Sequence, residues 1–146
     1  MFPKPTKRVK TKKRIKRKSS SPLKIAKEKA WEAFSIYYRM SNADINGMLK
    51  CFTCGKIHPW KEMHPGHWVE GHNNVTYINP DYIRPQCVSC NIFKKGMQGE
   101  FRDRIRKELG DYTTDELLFE SRKTKEISLT DYQELERFYK DKVNNL

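Results

Sequence analysis

The chain has 146 residues, of which 36% are hydrophobic and 33% are charged. This length favours one domain, or one domain with tails, and the low hydrophobic fraction limits the core that the chain can bury. No apolar run approaches the roughly 20 residues of a membrane span, and the basic N-terminus lacks the apolar stretch of a signal peptide. We therefore expect a cytoplasmic protein whose four cysteines stay reduced and are available to bind metal.

The net charge of +12 is concentrated at the N-terminus, where residues 1–22 hold ten Lys and Arg and no acid. Such a segment is too charged to pack a core, so residues 1–22 are predicted to be a disordered tail and residues 23–146 a single domain. The natural partner is a polyanion, with nucleic acid ahead of an anionic membrane, and the alternative is a solubilising or sorting tail. The residues predicted to contact phosphates are Lys7, Arg8, Lys10, Lys12, Lys13, Arg14, Lys16, Arg17 and Lys18.

Apolar residues at helical spacing predict a first helix from about Leu23 to Met40, behind an N-cap at Ser21. Its core-facing stripe is expected to be Leu23, Lys27, Ala30, Phe34 and Tyr38, with Trp31 and Tyr37 beside it. Later helices are predicted at or just inside the second cysteine pair, at Gln98 to Leu109, around 117–119 behind Thr113 or Thr114, and at Ser128 to Val143. A capping box is predicted for the last helix from Thr130 to Gln133.

Short strands are expected in the middle of the chain. Met48 to Phe52 is predicted to be a strand that enters the first cysteine pair. His67 to Val69 and Val75 to Ile78 are predicted to form two strands joined by a turn at Gly71 to Asn74. The two strands and the helix after them would place a histidine and a polar helix residue in one small unit.

Two Cys-x-x-Cys pairs, Cys51/Cys54 and Cys87/Cys90, are separated by 32 residues. Four thiolates at this spacing are typical of a closed tetrahedral zinc site that stabilises a fold, and Gly55 permits the tight turn behind the first pair. The alternatives are two disulfides or unrelated free thiols. Such a zinc site alone does not indicate catalysis.

His67 and Asn91 are the candidate catalytic residues between and beside these pairs. Phosphodiester hydrolysis needs a base that activates water, and imidazole titrates near neutral pH. The amide oxygen of Asn91 is a hard ligand suited to Mg²⁺ or Mn²⁺. The alternatives are a packing role for His67 and a helix N-cap role for Asn91.

The order of these residues resembles a known family. Cys-x-x-Cys, then Gly66-His67-Trp68, then Tyr77-Ile78-Asn79-x-x-Tyr82-Ile83-x-Pro85-Gln86-Cys87-x-x-Cys90-Asn91, with Gly96 following, is similar to the phage NinG (Rap) recombination endonucleases. That family is placed in the HNH/His-Me finger nucleases, and the Cys-Asn ending is also similar to phage Holliday-junction resolvases of the endonuclease VII type. The resemblance covers about residues 25–146.

The resemblance implies a nuclease acting on branched DNA such as Holliday junctions and D-loops, encoded by a phage or prophage in a bacterial host. It implies that His67 is the general base, Asn91 a divalent-metal ligand and the four cysteines a zinc site. The chain departs from the family pattern at three positions, where Gly66 replaces an acid or His, Tyr82 replaces the Asn that orients the base, and Arg84 replaces a His. The base must therefore be oriented by another group, such as a backbone carbonyl. His64, His72 and Asp81 are candidates to complete the metal's ligands.

We therefore predict an α+β fold with a zinc-stapled ββα-metal (His-Me finger) core over about residues 48–97 and flanking helices. The predicted function is a metal-dependent endonuclease for branched DNA, with a possible homodimer through the last helix. Two alternatives stay open, a non-catalytic zinc protein that binds nucleic acid and a sequence-nonspecific HNH nuclease.

Overall fold

A computed structural model describes residues 20–71 and 73–146 of the chain. The tail residues predicted to contact phosphates, and His72, lie outside this part. Helices and short antiparallel strands are combined in the α+β class that was predicted. In the described part, no helix has the length and apolar character needed to span a bilayer. The helices and strands are α1 (Pro22–Ser41), β1 (Met48–Lys50), β2 (Ile57–Pro59), β3 (Met63–His67), β4 (Ile83–Cys87), α2 (Gln98–Leu109), α3 (Asp111–Glu120) and α4 (Leu129–Asn144).

Helix α1 begins as predicted, with the Ser21 side chain accepting a hydrogen bond from the backbone N–H of Lys24 at 3.3 Å. Its buried side is formed mainly by small residues and two aromatic rings. The prediction that Leu23 belongs to this side is wrong, since Leu23 is 46% exposed. Packing against α4 starts one turn later, where Ala26 and Ala30 meet Tyr132.

Strands β3 and β4 form the hairpin that organises the centre of the fold. They pair antiparallel, with His64 opposite Gln86 and His67 opposite Ile83. The predicted strands at His67 to Val69 and Val75 to Ile78 are wrong, because most of residues 68–82 form a connection of loops and turns. Within this connection, the Asn73 side-chain oxygen accepts the Val75 N–H at 2.9 Å and forms a local turn. The Asn73 amide nitrogen donates to the Ser121 carbonyl at 2.8 Å.

The first cysteine pair lies in a second hairpin, in which β1 pairs antiparallel with β2. The Cys51 N–H donates to the Lys56 carbonyl at 2.8 Å, and the Gly55 N–H donates to the Cys51 carbonyl at 2.9 Å. Gly55 has φ 76°, so the expected role of this glycine in the tight turn is confirmed.

Two helical contacts complete the fold around the β3–β4 hairpin. Helix α2 buries Phe101 and Ile105 against Trp68 and Tyr82. Helix α4 packs along α1, where the rings of Phe34 and Tyr139 meet edge to face at 5.1 Å.

Two details of the C-terminal helices differ from the predictions. Helix α3 begins at Asp111, earlier than the predicted short helix around 117–119. The capping box of α4 joins Ser128 to Asp131, so the predicted box from Thr130 to Gln133 is wrong. The register shifts because the Ser128 hydroxyl, two residues earlier, accepts the Asp131 N–H at 3.2 Å.

Candidate metal centre and nuclease site

The four cysteines come together as predicted, in a group where all Sγ atoms lie within 4.8 Å of one another. The Sγ atoms of Cys54 and Cys87 are 3.8 Å apart. A tetrahedral zinc ion with Zn–S bonds of about 2.3 Å requires sulfur–sulfur separations of about 3.8 Å. The donors therefore fit a structural zinc ion bound by Cys51, Cys54, Cys87 and Cys90.

Hydrogen bonds around Cys51 favour its thiolate form. Burial alone would raise the pKa of Cys51, but backbone N–H groups and the Thr53 hydroxyl lower it to about 6. The Cys87 N–H donates to Cys51 Sγ at 3.3 Å, and the Thr53 hydroxyl lies 3.3 Å from the same sulfur. Burial instead raises the pKa of Cys90 to about 12. This thiol therefore keeps its proton at neutral pH unless a metal ion binds and displaces it.

His67 ends strand β3 beneath two aromatic rings. Its imidazole stacks on Trp31 of α1 with ring centroids 5.4 Å apart, and Trp31 stacks in turn on Tyr77 at 4.9 Å. The backbone carbonyl of His67 accepts a hydrogen bond from Gln98 Nε2 at 3.0 Å. The ring and the backbone of His67 are therefore both held, by α1, the β3–β4 connection and α2.

One hydrogen bond determines the tautomer of His67. Its Nε2 lies 3.0 Å from the Tyr77 carbonyl oxygen, which can only accept a hydrogen bond. Nε2 therefore carries the proton, and the lone pair of the neutral ring is on Nδ1. The backbone carbonyl of Tyr77 therefore orients the His67 ring, while the role of His67 as a base stays a prediction.

Asn91 lies within a π-helical turn, Ser89–Phe93, whose N-cap is Val88. The interpretation of Asn91 as a helix N-cap is therefore wrong. Its side-chain amide Nδ2 donates to Nδ1 of His64 at 3.1 Å. This contact engages the Asn91 amide nitrogen, so the oxygen, Oδ1, is the atom that the predicted role as a metal ligand would require.

His64 is half-buried on β3 and keeps its neutral form more readily than a free histidine. Burial lowers its pKa first, and the nearby positive charge of Arg39 lowers it further. Its Nδ1 accepts the hydrogen bond from Asn91, so the structure places His64 as a residue that orients Asn91.

Gly66 has a packing reason to lack an acidic side chain. A Cβ at this position would lie 2.2 Å from Oε1 of Gln86. Gln86 is fully buried and donates through Nε2 to the Thr53 hydroxyl at 3.2 Å and to the Gly96 carbonyl at 2.9 Å. The amide of Gln86 therefore occupies the space that a side chain at residue 66 would need.

The other departures from the family pattern have structural roles. Tyr82 is buried, and its hydroxyl donates to the Leu117 carbonyl at 3.0 Å. Arg84 forms an ion pair with Glu108 at 2.8 Å. Asp81 is exposed, and its backbone carbonyl accepts the Trp68 indole N–H at 2.9 Å. Its described contacts do not reach the His64–Asn91 pair.

The described residues divide the predicted site into two groups. His64 and Asn91 touch each other, whereas the described contacts of His67 are with Trp31, Tyr77 and Gln98. Within residues 20–71 and 73–146, the cysteines form the one group of at least three His, Cys, Asp or Glu that could hold a metal. The contribution of Trp31 was missed because an aromatic residue at helical spacing ordinarily indicates core packing, and that of Tyr77 because its segment was predicted to be a strand.

A comparison with protein families matches residues 3–146 to the family described as the bacteriophage lambda NinG protein. No curated protein and no solved structure matches the chain. The family match covers nearly the whole chain, including both cysteine pairs and the residues between them.

Proposed function

The chain belongs to the family of the bacteriophage lambda NinG protein, and from this premise we propose that it is a metal-dependent DNA endonuclease. The observation that carries the proposal is the orientation of His67. A histidine fixed by a backbone carbonyl through Nε2 has its lone pair on Nδ1, which is the arrangement that a general base requires.

In the proposed reaction, His67 Nδ1 accepts a proton from water while the water oxygen attacks phosphorus. The bond from phosphorus to the leaving sugar oxygen then breaks, and that oxygen takes a proton from solvent. The stacked Trp31 ring and the Tyr77 carbonyl keep the imidazole in one orientation during this transfer.

Asn91 and His64 are proposed to form the protein side of a divalent-cation site. Asn91 Oδ1 would be the ligand, held in place by the hydrogen bond from Nδ2 to His64. A bound Mg²⁺ or Mn²⁺ would offset the negative charge that develops on the phosphate during hydrolysis. The acid that many HNH nucleases carry beside the histidine is replaced here by Gly66, which Gln86 covers.

Nicking of supercoiled plasmid DNA in Mg²⁺ or Mn²⁺ tests the proposal. We expect His67→Ala to lower the nicking rate by about 10²- to 10⁴-fold, the range typical of removing a general base. His58→Ala is the matched control, since His58 lies on β2 beside Glu62, with 4.0 Å between His58 Nδ1 and Glu62 Oε2, and should nick like the parent. Parent protein that does not nick, or a His67→Ala protein that nicks equally well, would contradict the assignment.

The ligand role of Asn91 has its own test. Asn91→Ala removes the oxygen ligand and is expected to abolish nicking, whereas Asn91→Asp keeps an oxygen and should retain nicking with Mn²⁺. Equal activity in Asn91→Ala and the parent would exclude Asn91 as a ligand.

A second candidate, a non-catalytic zinc protein that binds nucleic acid, is favoured by one observation. Among the described residues, the cysteines are the one group of at least three His, Cys, Asp or Glu that could hold a metal. Binding of DNA without nicking under any divalent cation would establish this candidate.

A third possibility is a sequence-nonspecific nuclease. Comparing the cleavage rate of a four-way junction with that of a matched linear duplex distinguishes it from a branched-DNA nuclease. Equal rates on the two DNAs would favour the nonspecific enzyme.

A further inference from the structure

Two consecutive apolar side chains, Ile92 and Phe93, are exposed on the turn that carries Asn91. Their exposed fractions are 54% and 79%. A single exposed apolar residue is ordinary on a protein surface. An adjacent pair directly beside a proposed metal ligand is a feature that needs a function.

The backbone under this pair is firmly held. Cys90 is buried in the cysteine group, and the Lys94 N–H closes the turn on the Ser89 carbonyl at 2.9 Å. Next along the chain, Gly96 adopts φ 80° and accepts the hydrogen bond from Gln86. Phe93 is therefore presented on a fixed support, and π-helical turns of this kind often occur at functional sites.

The charge around the pair indicates the kind of partner. Lys94 and Lys95 follow Phe93 directly and are exposed, and residues 88–99 contain no acid. Neither lysine forms an ion pair with the residues that the structure describes. DNA offers phosphates to the lysines and, where bases are unpaired, flat aromatic faces to the phenylalanine.

We propose that Phe93, with Ile92 beside it, stacks on an unpaired base while Lys94 and Lys95 contact the flanking phosphates. This inference rests on the proposed function, because it takes DNA as the ligand, and it adds that unstacked bases are the feature recognised next to Asn91. An intact duplex gives the lysines their phosphates but gives Phe93 no open base face. Phe93 therefore contributes mainly to the preference for distorted DNA.

The test compares affinities for a duplex containing a two-base bulge and for the same duplex without it. Binding is measured in the His67→Ala background, so that cleavage does not interfere. We expect the His67→Ala protein, the parent in this test, to bind the bulged duplex more tightly than the intact one. Adding Phe93→Ala should reduce the ratio of the bulged-duplex affinity to the intact-duplex affinity by about five- to a hundredfold, as for loss of base–aromatic stacking. Phe93→Trp should retain the ratio, because indole also stacks on bases.

Phe119→Ala is the matched control. Phe119 is 65% exposed on α3, but the lysine over its ring, Lys123, is paired with Glu120, so this substitution should leave the ratio unchanged. Zinc content and thermal unfolding of Phe93→Ala should equal those of the parent, since this side chain is exposed.

Three results would overturn the inference. These are no bulge preference in the parent, an unchanged ratio in Phe93→Ala, and conversion of a dimer to a monomer by Phe93→Ala. An unchanged ratio with a lower affinity for both DNAs would assign the pair to general binding, and loss of a dimer would assign it to contact with a second copy of the chain. The proposed nuclease is tested separately, because a Phe93-dependent bulge preference without plasmid nicking by the unmodified protein would keep this inference and reject catalysis.

Discussion

Gln86 is the residue around which the proposed site is packed. It is fully buried and donates to Thr53, beside the cysteine group, and to Gly96, next to the exposed turn. Its side chain also lies against Gly66, between His64 and His67 on β3. One amide thus sets the local packing of the cysteine group, the strand and the turn.

Gly66→Ala is predicted to destabilise the protein. The added Cβ would lie 2.2 Å from Gln86 Oε1, and Gln86 cannot move without losing its two hydrogen bonds. We expect the free energy of unfolding to fall by about 1–3 kcal/mol, as for overpacking in a core. Urea unfolding measures this change.

Gly99→Ala is the control for that substitution, because a Cβ at Gly99 in α2 meets no atom within 4 Å. It should be neutral or stabilise the helix by up to about 1 kcal/mol. The cost of Gly66→Ala should also be partly relieved when Gln86→Ala is combined with it, because the two side chains compete for one space. Strictly additive effects would reject this explanation.

At this scale the sequence could nominate residues but not their contacts. The chemistry of imidazole and amide groups was sufficient to propose His67 and Asn91. The contact between His64 and Asn91 could not be predicted, because it depends on which strands pair. The packing reason for a glycine at residue 66 could not be predicted either. Gln86 lies 20 residues away and contacts Gly66 only because of the β3–β4 register.

Among the elements, the β3–β4 connection shows where local patterns failed. The Gly71 to Asn74 segment has the composition of a hairpin turn, which led to the wrong strand prediction. Proline usually argues against a strand interior, yet Pro65 and Pro85 face each other in the real hairpin. The strands that form are selected by packing against α1 and the cysteine group, and this information is not local.

The connection is instead held by side chains that reach distant helices. Asn74 Oδ1 accepts hydrogen bonds from Lys27 Nζ of α1 at 3.0 Å and from the Tyr132 hydroxyl of α4 at 3.1 Å. These contacts place Tyr77, whose carbonyl orients His67. Helices α1, α2 and α4 were predicted close to their observed bounds because their periodicity is local. The role of α1 and α4 in positioning this connection was not predicted.

Ser128→Ala is predicted to destabilise helix α4. The Ser128 hydroxyl accepts the Asp131 N–H at 3.2 Å, and the Asp131 carboxylate accepts the Ser128 N–H at 2.8 Å. Loss of such a cap costs about 0.5–2 kcal/mol of unfolding free energy. Thr130→Ala, next to the cap and exposed, should stay within about 0.5 kcal/mol of the parent.

The effect of this substitution should depend on pH. Hydrogen bonds from the Ser128 side chain and backbone hold the pKa of Asp131 below its ordinary value. A carboxyl group with a lowered pKa in the folded state stabilises the protein above its unfolded pKa, near 3.9, and this contribution is lost as the pH falls. The difference in unfolding free energy between parent and Ser128→Ala should therefore be larger at pH 7 than at pH 3. A difference that grows toward low pH would contradict the capping geometry.

Over the whole molecule, the cysteine group connects three parts of the chain. It joins the β1–β2 hairpin to the end of β4 and to the turn that carries Asn91. The sequence predicted that the four cysteines cluster, because their spacing is characteristic of a zinc site. The predicted ββα-metal architecture and the domain assignment stay predictions, as does the contact of the basic tail with DNA.

Removal of zinc is predicted to unfold the protein cooperatively. A structural zinc site contributes about 10–16 kcal/mol in small zinc-binding peptides, which is comparable to the whole stability of a typical domain. With 36% hydrophobic residues, the core alone contributes little stability. We therefore expect a strong chelator to abolish the cooperative thermal unfolding transition. Added Zn²⁺ should restore the transition, and added Mg²⁺ should not. Asn91→Ala separates the two proposed metals, since it should lose nicking while retaining one zinc per chain and the parent's melting temperature. A chelated protein that melts like the parent would show that the cysteines do not bind a structural ion.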